Sequence, residues 1–496
     1  MRRKKLTIVL LTLALTLALL PMSAFAAQRD VTAVSTASIT VNGAVENDVL
    51  AAYKVIDITY DAGTNTLSYA WNSDFADYFG GTTSFNGTKY TIEQFAALES
   101  DSDALKNLLA GLPKYIAERT ITPVDTQTVA AEGTATFAGL AMGEYFIRPT
   151  STTSVYQLML QKIEPTIVGG KYVIDDVTFT AKHNNVTVKK TADKTSVTKN
   201  EKVKYTITVD IPTYGAGATD KSFSVSDLLP DGLTLDTASI KAQIDGGKVD
   251  ADAYTLDKTA TGTYTFKLSI SRDQYTSYWA ANGGKQLVIT YNAKFNNNDT
   301  TAVNTKETNT VTFDYSSYPY VENSHKQKTD TADVTTFAIK IDKCKYGNES
   351  TKLAGAKFDL YRTATQAEIN ANPSSAVTIP HTSVKGIKLE VDKVTDENGS
   401  ATFAKYEANG TNYNYYLVET QAPAGYNILD NAVQVNFTAE NVDNTTGVYT
   451  VQVLNSDGFT LPVTGGTGTV IFTLIGIVLM AGAVALFVIS RIKKQS

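Results

Sequence analysis

Residues 416–426 read YLVETQAPAGY, and this stretch decides the fold of the region around it. Tyr, Leu and Val favour a strand, and the Pro-Ala-Gly that follows is a turn signal. Because side chains alternate along a strand, Leu417 and Glu419 point to the same face. A polar group on an apolar face is costly unless it finds a partner. The stretch therefore predicts a strand that directs a carboxyl into a β-sheet core.

Strand-forming segments continue on both sides of this stretch. The third predicted domain, residues 335–459, contains it together with a last strand at 448–454. The second predicted domain, residues 184–334, opens with a strand at 186–190 and closes with one at 309–315. Short strands separated by turn signals are typical of β-sandwiches.

The first predicted domain, residues 27–183, differs by a helical insertion. Apolar residues recur near helical spacing over 91–119, with Asp103 expected as an N-cap and Pro113 expected to interrupt or end the helix. The composition is rich in Thr, Val, Tyr and Asn and poor in Pro. We therefore predict an all-β protein of three tandem immunoglobulin-like sandwich domains, the first with a helical insertion.

Both ends of the chain have the pattern of targeting segments. Residues 1–26 combine four basic residues, an apolar run and a small-x-small site, which is typical of a signal peptide. Residues 460–496 contain LPVTGG, an apolar run at 470–489 and a basic tail. A run of about 20 apolar residues can cross a bilayer, with the basic tail held on the cytoplasmic side. The intervening residues are therefore expected outside the cell.

The charge and cysteine content exclude several classes of protein. The two ends hold seven of the 44 basic residues and no acidic one, which leaves 37 basic against 50 acidic residues between them. Such an excess of acid argues against nucleic-acid binding. Cys344 is the single cysteine, so no disulfide forms within the chain. No Ser-His-Asp set, metal-spaced cluster or phosphate loop is visible in the sequence, and we expect neither cofactor nor metal. The three histidines are expected to be isolated surface residues: His183, His325 and His381.

The third domain resembles the Cna B-type domains. The resemblance rests on residues 416–426 and on residues 353–358, LAGAKF. In that family a lysine near the first strand bonds covalently to an asparagine near the last, with a glutamate as catalyst. The resemblance implies Lys340, in the pattern Lys-x-Asp, as the lysine, Asn455 as the asparagine and Glu419 as the catalyst. Strand parity turns Lys340 away from its apolar neighbours, so Lys343 is the alternative.

The chemistry explains why these three residue types are needed. Burial disfavours the charged form of lysine and lowers its pKa, whereas it raises the pKa of a carboxyl. A neutral amine can attack the asparagine side-chain carbonyl while the carboxylic acid polarises it and moves protons, and ammonia leaves.

The second domain resembles the Cna A-type-like middle domain of pilin shaft subunits. Lys190, Asp227 and Asn309 each share a strand face with apolar residues, and three inward polar groups need to satisfy one another. The resemblance implies a Lys190–Asn309 amide with Asp227 as catalyst. Lys189 is the alternative lysine.

The first domain departs from this pattern. Residues 133–138, GTATFA, echo residues 399–404, GSATFA, and in the strands that follow them Arg148 stands at the position that echoes Glu419. An arginine stays charged and cannot act as an acid, so no internal amide is expected there. The end of the domain, residues 177–184, resembles the pilin motif, whose lysine accepts the next subunit. The resemblance implies Lys182 as this acceptor, with Lys162 and Lys171 as rivals.

The C-terminal pattern resembles the sorting signal of Gram-positive surface proteins. The resemblance implies that a sortase cuts between Thr464 and Gly465 of the LPVTG segment, whose members are Leu461, Pro462, Val463, Thr464 and Gly465. As a whole the chain resembles a major, shaft-forming pilin, a structural protein that is a sortase substrate rather than an enzyme. Its expected partners are sortase, further copies of itself, minor pilins and peptidoglycan, at the cell surface. The alternatives are a monomeric wall-anchored adhesin that binds a host ligand and a minor pilin of the base or tip.

Overall fold

The computed structural model describes most of the chain between its two ends. The described ranges are 29–32, 35–80, 88–100, 102–296, 305–408, 414–438, 440–443, 445–458 and 467–492. Strands contain 48% of the residues and helices 13%, which confirms the prediction of a mostly β, multidomain sandwich protein. The predicted signal peptide and the LPVTG segment lie outside the described residues.

The chain divides into two compact units. The first contains residues 1–195, 199–298 and 306–334, and the second contains residues 196–198, 299–305 and 335–496. Residues on both sides of the expected boundary at 183/184 belong to the first unit, so a separate first domain stays a prediction.

The N-terminal part of the first unit is built from thirteen described strands. They are β1 (Arg29–Asp30), β2 (Thr36–Asn42), β3 (Val49–Asp61), β4 (Thr66–Trp71), β5 (Asp125–Thr128), β6 (Ala135–Ala141), β7 (Gly143–Ser151), β8 (Val155–Tyr156), β9 (Met159–Ile163), β10 (Thr166–Val168), β11 (Lys171–Ile174), β12 (Val177–Thr180) and β13 (His183–Asn184). The largest sheet has the order β4-β3-β7-β9, with β5 paired to β3. In a second sheet, β12-β2-β6, strand β12 pairs in parallel with β2.

The helical insertion differs from the prediction in the N-cap of one helix and in the role of Pro113. Its helices are α1 (Ala76–Phe79), α2 (Ile92–Ala96), α3 (Asp103–Ala110) and α4 (Leu112–Arg119). The prediction of Asp103 as a cap was wrong, because the Ser102 side chain caps α3 by accepting from the Leu105 amide. Pro113 lies in the first turn of α4, where the missing N–H costs nothing, so it starts a helix instead of interrupting one.

The middle part of the first unit is a sandwich of two sheets. Its elements are β14 (Val188–Ala192), β15 (Lys202–Asp210), β16 (Phe223–Leu228), β17 (Leu233–Ile244), β18 (Gly247–Lys248), β19 (Thr255–Asp257), β20 (Phe266–Ile270), α5 (Ser277–Ala281), β21 (Gln286–Phe295), β22 (Thr305–Ser316) and β23 (His325–Lys345), the last belonging here up to Val334. One sheet has the order β14-β15-β21-β17-β18 and the other β19-β20-β16-β22-β23. Their inner faces meet at Phe266 and Tyr291, whose ring centroids are 5.1 Å apart.

The second unit is a smaller sandwich. After the end of β23 come β24 (Asn348–Lys352), β25 (Lys357–Thr363), α6 (Gln366–Ala371), β26 (Val377–Thr378), β27 (Lys385–Val394), β28 (Ser400–Tyr406), β29 (Tyr415–Gln421), β30 (Val433–Val435) and β31 (Val448–Asn455). One sheet joins β23 to β24, β28 and β31, and the other has the order β26-β27-β25-β29-β30. The first strand, β23, pairs in parallel with the last, β31, which brings the two ends of this domain together.

A long apolar helix, α7 (Thr467–Ile492), follows. Its segment Thr473–Ser490 has a mean hydropathy of 2.5 and none of it is buried, so it is long and apolar enough to cross a membrane. This agrees with the predicted C-terminal transmembrane helix.

Candidate lysine–asparagine sites

The first cluster lies between the two sheets of the middle sandwich. Lys190 projects inward from β14, Asp227 from β16 and Asn309 from β22. All three side chains are buried, with Asp227 and Asn309 fully so. The structure therefore brings the three sequence-predicted residues together, and strand alternation is the reason, because each lies in register with buried apolar neighbours. The alternative Lys189 faces solvent.

The hydrogen bonds of this cluster meet at Tyr291, a residue that the sequence had not singled out. Lys190 Nζ donates to Asp227 Oδ2 in a very short contact and lies 2.7 Å from Tyr291 Oη. Tyr291 Oη donates to Asp227 Oδ1 at 2.8 Å and accepts from Asn309 Nδ2 at 2.7 Å. The carbonyl oxygen Oδ1 of Asn309 is buried and has no hydrogen-bond partner within the described part of the chain.

Burial sets the charge states of this cluster. Loss of solvent lowers the pKa of Lys190 and raises the pKa of Asp227, although each partner opposes the shift of the other. Both shifts favour a neutral amine beside a neutral acid. The stacked rings of Tyr205 and Tyr291 lie beside the amine, each with its centroid 5.2 Å from Lys190 Nζ.

The second cluster lies inside the sandwich of the second unit. Lys343 of β23, Glu419 of β29 and Asn455 of β31 are buried. The choice of Lys340 is corrected here, because its side chain is exposed on the opposite face of β23. Strand parity, which had left Lys343 open as the alternative, points to the buried residue of the pair.

The acid of the second cluster contacts the asparagine directly. Asn455 Nδ2 donates to Glu419 Oε1 at 3.0 Å and to Oε2 at 2.9 Å. Lys343 Nζ donates to Asn455 Oδ1 in a very short contact and lies 3.7 Å from Glu419 Oε1. The Leu429 amide donates to Glu419 Oε2 at 2.9 Å and fixes the carboxyl. Burial lowers the pKa of Lys343 to about 8, with Glu419 opposing the shift.

Both arrangements can form an amide. In each, an amine with a lowered pKa lies in a buried cluster with an asparagine side chain, beside a carboxyl that can carry protons. The amine nitrogen would bond to the asparagine Cγ, the Cγ–Nδ2 bond would break, and one proton would move from the amine to the departing nitrogen, which leaves as ammonia.

The N-terminal region has no such buried set among its described residues. Arg148, at the echo position, lies over the ring of Tyr53 at 5.5 Å. Lys54, Asp57 and Asn72 do meet there, since Asp57 accepts from Asn72 Nδ2 at 3.2 Å and pairs with Lys54 at 2.7 Å. However, the Asp57 side chain is 34% exposed, so water screens this group.

Lys182 lies at the edge of a cleft in the first unit. It follows β12, and its backbone carbonyl accepts from the Gln157 amide at 2.9 Å. The side chain is exposed and makes no ion pair within the described ranges. The cleft has a volume of about 270 Å³ and an apolar part formed by Leu105, Leu109, Leu158, Leu160 and Phe179. The two alternative acceptor lysines form ion pairs: Lys162 with Glu164 at 2.6 Å and Lys171 with Asp30 at 3.4 Å.

The prediction that His325 is isolated was wrong. Its Nδ1 pairs closely with Asp314, and its Nε2 lies 3.2 Å from both Asp220 and Ser222 Oγ. This resembles a Ser-His-Asp set, but Ser222 donates its hydroxyl hydrogen to Asp220 at 2.8 Å. The hydrogen bond to Asp314 raises the pKa of His325, so the ring favours the imidazolium form and is a poor base.

Comparison with known proteins gives two family matches. Residues 337–452 match the SpaA prealbumin-like fold domain. Residues 454–495 match the LPXTG cell wall anchor motif. The first match contains Lys343 and Glu419. The second contains Asn455, the apolar helix and the residues between them.

One relative of known name is a fimbrial subunit. The chain is 28% identical over 335 residues to fimbrial subunit type 1 of Actinomyces viscosus, an alignment that covers 59% of this chain and 62% of the relative's length. Its fold is similar to the T6 backbone pilin of serotype M6 Streptococcus pyogenes, with a TM-score of 0.54, 18% identity and coverage of 81% of this chain and 79% of that one. Its fold is also similar to the major pilin SpaD of Corynebacterium diphtheriae, with a TM-score of 0.50, 16% identity and coverage of 86% of this chain and 99% of that one.

These identities to solved structures are low, and the likeness therefore concerns the fold. The sequence matches add the domain type and the anchor. The SpaA-type domain, the LPXTG anchor, the fimbrial relative and the shared multidomain architecture together support a sortase-assembled pilin of the Gram-positive cell surface.

Proposed function

We propose that this chain is the major, shaft-forming subunit of a covalent pilus. Thr464 of one subunit is joined to Lys182 of the next, and the last subunit is joined to peptidoglycan. The observation that carries the proposal is the pair of buried lysine–carboxyl–asparagine clusters, one in each compact unit. A chain that is pulled end to end in a fibre needs strands that cannot separate.

Two internal amides are part of this proposal. Lys190 is bonded to Asn309 with Asp227 as acid, and Lys343 is bonded to Asn455 with Glu419 as acid. The Lys343–Asn455 link joins the first strand of its sandwich to the last, which pair in parallel. It replaces the disulfides that the single cysteine rules out. The reaction occurs once per molecule, so the chain is a structural protein and not an enzyme.

Lys182 suits the role of acceptor for chemical and steric reasons. The sortase step breaks the Thr464–Gly465 bond, joins the Thr464 carbonyl to an amine and releases the segment from Gly465 onward. Lys182 is exposed and carries no ion pair in the described part of the chain, so an enzyme can approach it. The apolar cleft beside it fits the Leu461 and Val463 side chains of an incoming segment.

A denaturing gel of boiled cell-wall extract tests the polymer. We expect a ladder of multiples that Lys182→Ala abolishes. Lys171→Ala is the matched control, since Lys171 is also exposed but lies in an ion pair with Asp30, and it should leave the ladder intact. A ladder that persists in Lys182→Ala rejects this acceptor.

The alternatives give different patterns on the same gel. A monomeric adhesin gives one band, and a minor pilin gives the ladder of another protein with this chain in a few of its bands. Antibody detection of this chain in every rung supports the shaft subunit. The LPXTG match is compatible with all three, and the partners sortase, minor pilins and any host ligand remain parts of the proposal.

A further inference from the structure

Tyr291 occupies an unusual position for a core tyrosine. It lies on β21, between Ile289 and Ala293 on the inward face of the strand, and it is about 1% exposed. Its ring stacks on Tyr205 at 5.5 Å, which holds the hydroxyl in place. A buried tyrosine usually turns its hydroxyl to one hydrogen-bond partner.

This hydroxyl instead has three partners, and they are the three members of the middle cluster. It accepts from Lys190 Nζ and from Asn309 Nδ2, both at 2.7 Å, and donates to Asp227 at 2.8 Å. One donated and two accepted bonds use the full capacity of a phenol. Tyr291 therefore contacts both the nitrogen that would attack and the nitrogen that would leave.

The reaction requires one proton to travel between these two nitrogens. Asp227 Oδ2 contacts Lys190 Nζ, and Asp227 Oδ1 contacts the phenol oxygen, which contacts Asn309 Nδ2. Attack of Nζ on Cγ turns Nδ2 into an amine that can accept a proton, and the two hydrogen bonds of the Tyr291 hydroxyl then reverse their direction. With neutral Asp227 protonated on Oδ1, Nζ can release a proton to Oδ2 while Oδ1 passes one to Tyr291. Tyr291 passes its own proton to Nδ2. The Nζ–Cγ bond has formed, the Cγ–Nδ2 bond breaks, and Nδ2 leaves as ammonia. Tyr291 again carries one proton, and Asp227 is again neutral, with its proton now on Oδ2.

We propose that Tyr291 is a catalytic residue of the Lys190–Asn309 amide, carrying the proton from Asp227 to the nitrogen that leaves. This rests on the proposed function, since it presumes that the amide forms. The second unit needs no such carrier, because both oxygens of Glu419 lie within 3.0 Å of Asn455 Nδ2.

The test uses the full-length chain in cell-free synthesis, with samples digested at intervals and the cross-linked peptides measured by mass spectrometry. In Tyr291→Phe we expect the Lys190–Asn309 peptide pair to form at least ~10²-fold more slowly, the usual contribution of general acid–base catalysis. The Lys343–Asn455 pair in the same molecules should form at the normal rate and is the internal control.

A matched variant separates catalysis from packing. Tyr275→Phe removes another buried hydroxyl of the middle sandwich, which donates to the Pro212 carbonyl at 2.8 Å, and should leave the rate within about twofold. Tyr291→Phe combined with Asp227→Glu, whose longer side chain reaches further, should recover part of the lost rate. Equal loss in both phenylalanine variants, or a normal rate in Tyr291→Phe, overturns the proposal.

Two further results keep the conclusion clear. If the wild-type chain lacks the Lys190–Asn309 pair altogether, the proposed function fails and not the role of Tyr291 alone. If Tyr291→Phe does not fold, a fluorotyrosine introduced at position 291 keeps the hydroxyl and lowers its pKa. We then expect the rate of this one link to change by more than about twofold, and an unchanged rate overturns the proposal.

Discussion

The two clusters differ in the length of their acid and in how it reaches the asparagine. In the second unit Glu419 accepts two hydrogen bonds from Asn455 Nδ2 directly. In the first unit the acid is Asp227, one methylene shorter, and the phenol of Tyr291 lies between it and Asn309 Nδ2. We infer from this difference that a shorter carboxyl together with a buried hydroxyl can do the work of a longer carboxyl.

Burial is the property that both clusters share. The Lys190, Asp227, Lys343 and Glu419 side chains have no exposed area. A charged group in such surroundings is costly, and the lysines respond by a lowered pKa. The Lys54 set in the N-terminal region has the same residue types without this burial, and the His325 set has charges without an asparagine. We therefore expect that an amide forms only where the cluster is buried and all three residue types are present.

The largest expected effect is the loss of a whole link. Lys343→Ala should make the protein heavier by one ammonia, about 17 Da after allowance for the substitution. Lys343 and Asn455 are 112 residues apart, and a cross-link that closes a loop of about 100 residues contributes about 4.7 kcal/mol. We expect the free energy of unfolding of the second unit to fall by about this amount, measured by calorimetry and guanidinium denaturation.

Lys340→Ala is the matched control for that variant, because the two lysines lie three residues apart on opposite faces of β23. It should keep the mass deficit and change stability by less than about 0.5 kcal/mol, as surface substitutions do. The reverse result would restore Lys340 as the bonded residue.

The next prediction tests whether the length of the acid side chain matters for the Lys343–Asn455 link. Glu419→Asp shortens the acid at a site where Asn455 Nδ2 donates hydrogen bonds to the acid itself and to a backbone carbonyl. We expect the Lys343–Asn455 link to form ~10²-fold more slowly, measured by time-resolved peptide mapping. Glu397→Asp, on an exposed turn, is the control. A normal rate in Glu419→Asp would show that side-chain length is unimportant.

A smaller effect concerns pH. Because the pKa of Lys343 is lowered to about 8, the neutral amine makes up roughly a tenth of the population at pH 7 and roughly a hundredth at pH 6. Protonation removes the nucleophile, so the rate should fall about tenfold between pH 7 and pH 6. Newly synthesised chain, held at each pH and sampled for the cross-linked peptides, provides the measurement. A rate independent of pH over this interval contradicts the assignment of a neutral lysine as the attacking group.

The smallest effect is expected at the partly exposed group of Lys54, Asp57 and Asn72. Asn72→Ala should leave the number of lost ammonias at two, because solvent around Asp57 and Lys54 keeps them as an ion pair. Exposed pairs of this kind contribute at most about 1 kcal/mol, and stability should change within that limit. The measurement is the intact mass. If the unaltered chain has lost a third ammonia and Asn72→Ala has not, amide formation does not require deep burial.

Strand alternation made much of this site predictable. Lys190, Asp227 and Asn309 were found on inward faces because side chains alternate with a period of two, whatever the rest of the fold does. Lys340 was preferred on a short motif, Lys-x-Asp, and the exposed side chain of Lys340 corrects that choice in favour of Lys343. Parity, a physical rule, was a better guide than the motif.

Other features were missed because they depend on residues far apart in the chain. An inward Tyr such as Tyr291 has the sequence pattern of ordinary core, and only the meeting of β14, β16, β21 and β22 gives its hydroxyl three reactive partners. The Asp220, Asp314 and His325 group assembles from separate segments for the same reason. The one hint available was that Tyr carries a polar group that needs a partner when it is buried.

The amino-acid sequence alone was sufficient for the all-β class, the inward polar residues, the apolar C-terminal helix and the pilin resemblance, because these follow from local periodicity, length and short motifs. The pairing of lysine with asparagine, the choice of Lys343 over Lys340 and the position of Tyr291 between acid and amide were decided by the tertiary structure. They depend on which strands become neighbours and on how completely the packed sheets exclude water, and neither property is encoded within a single strand.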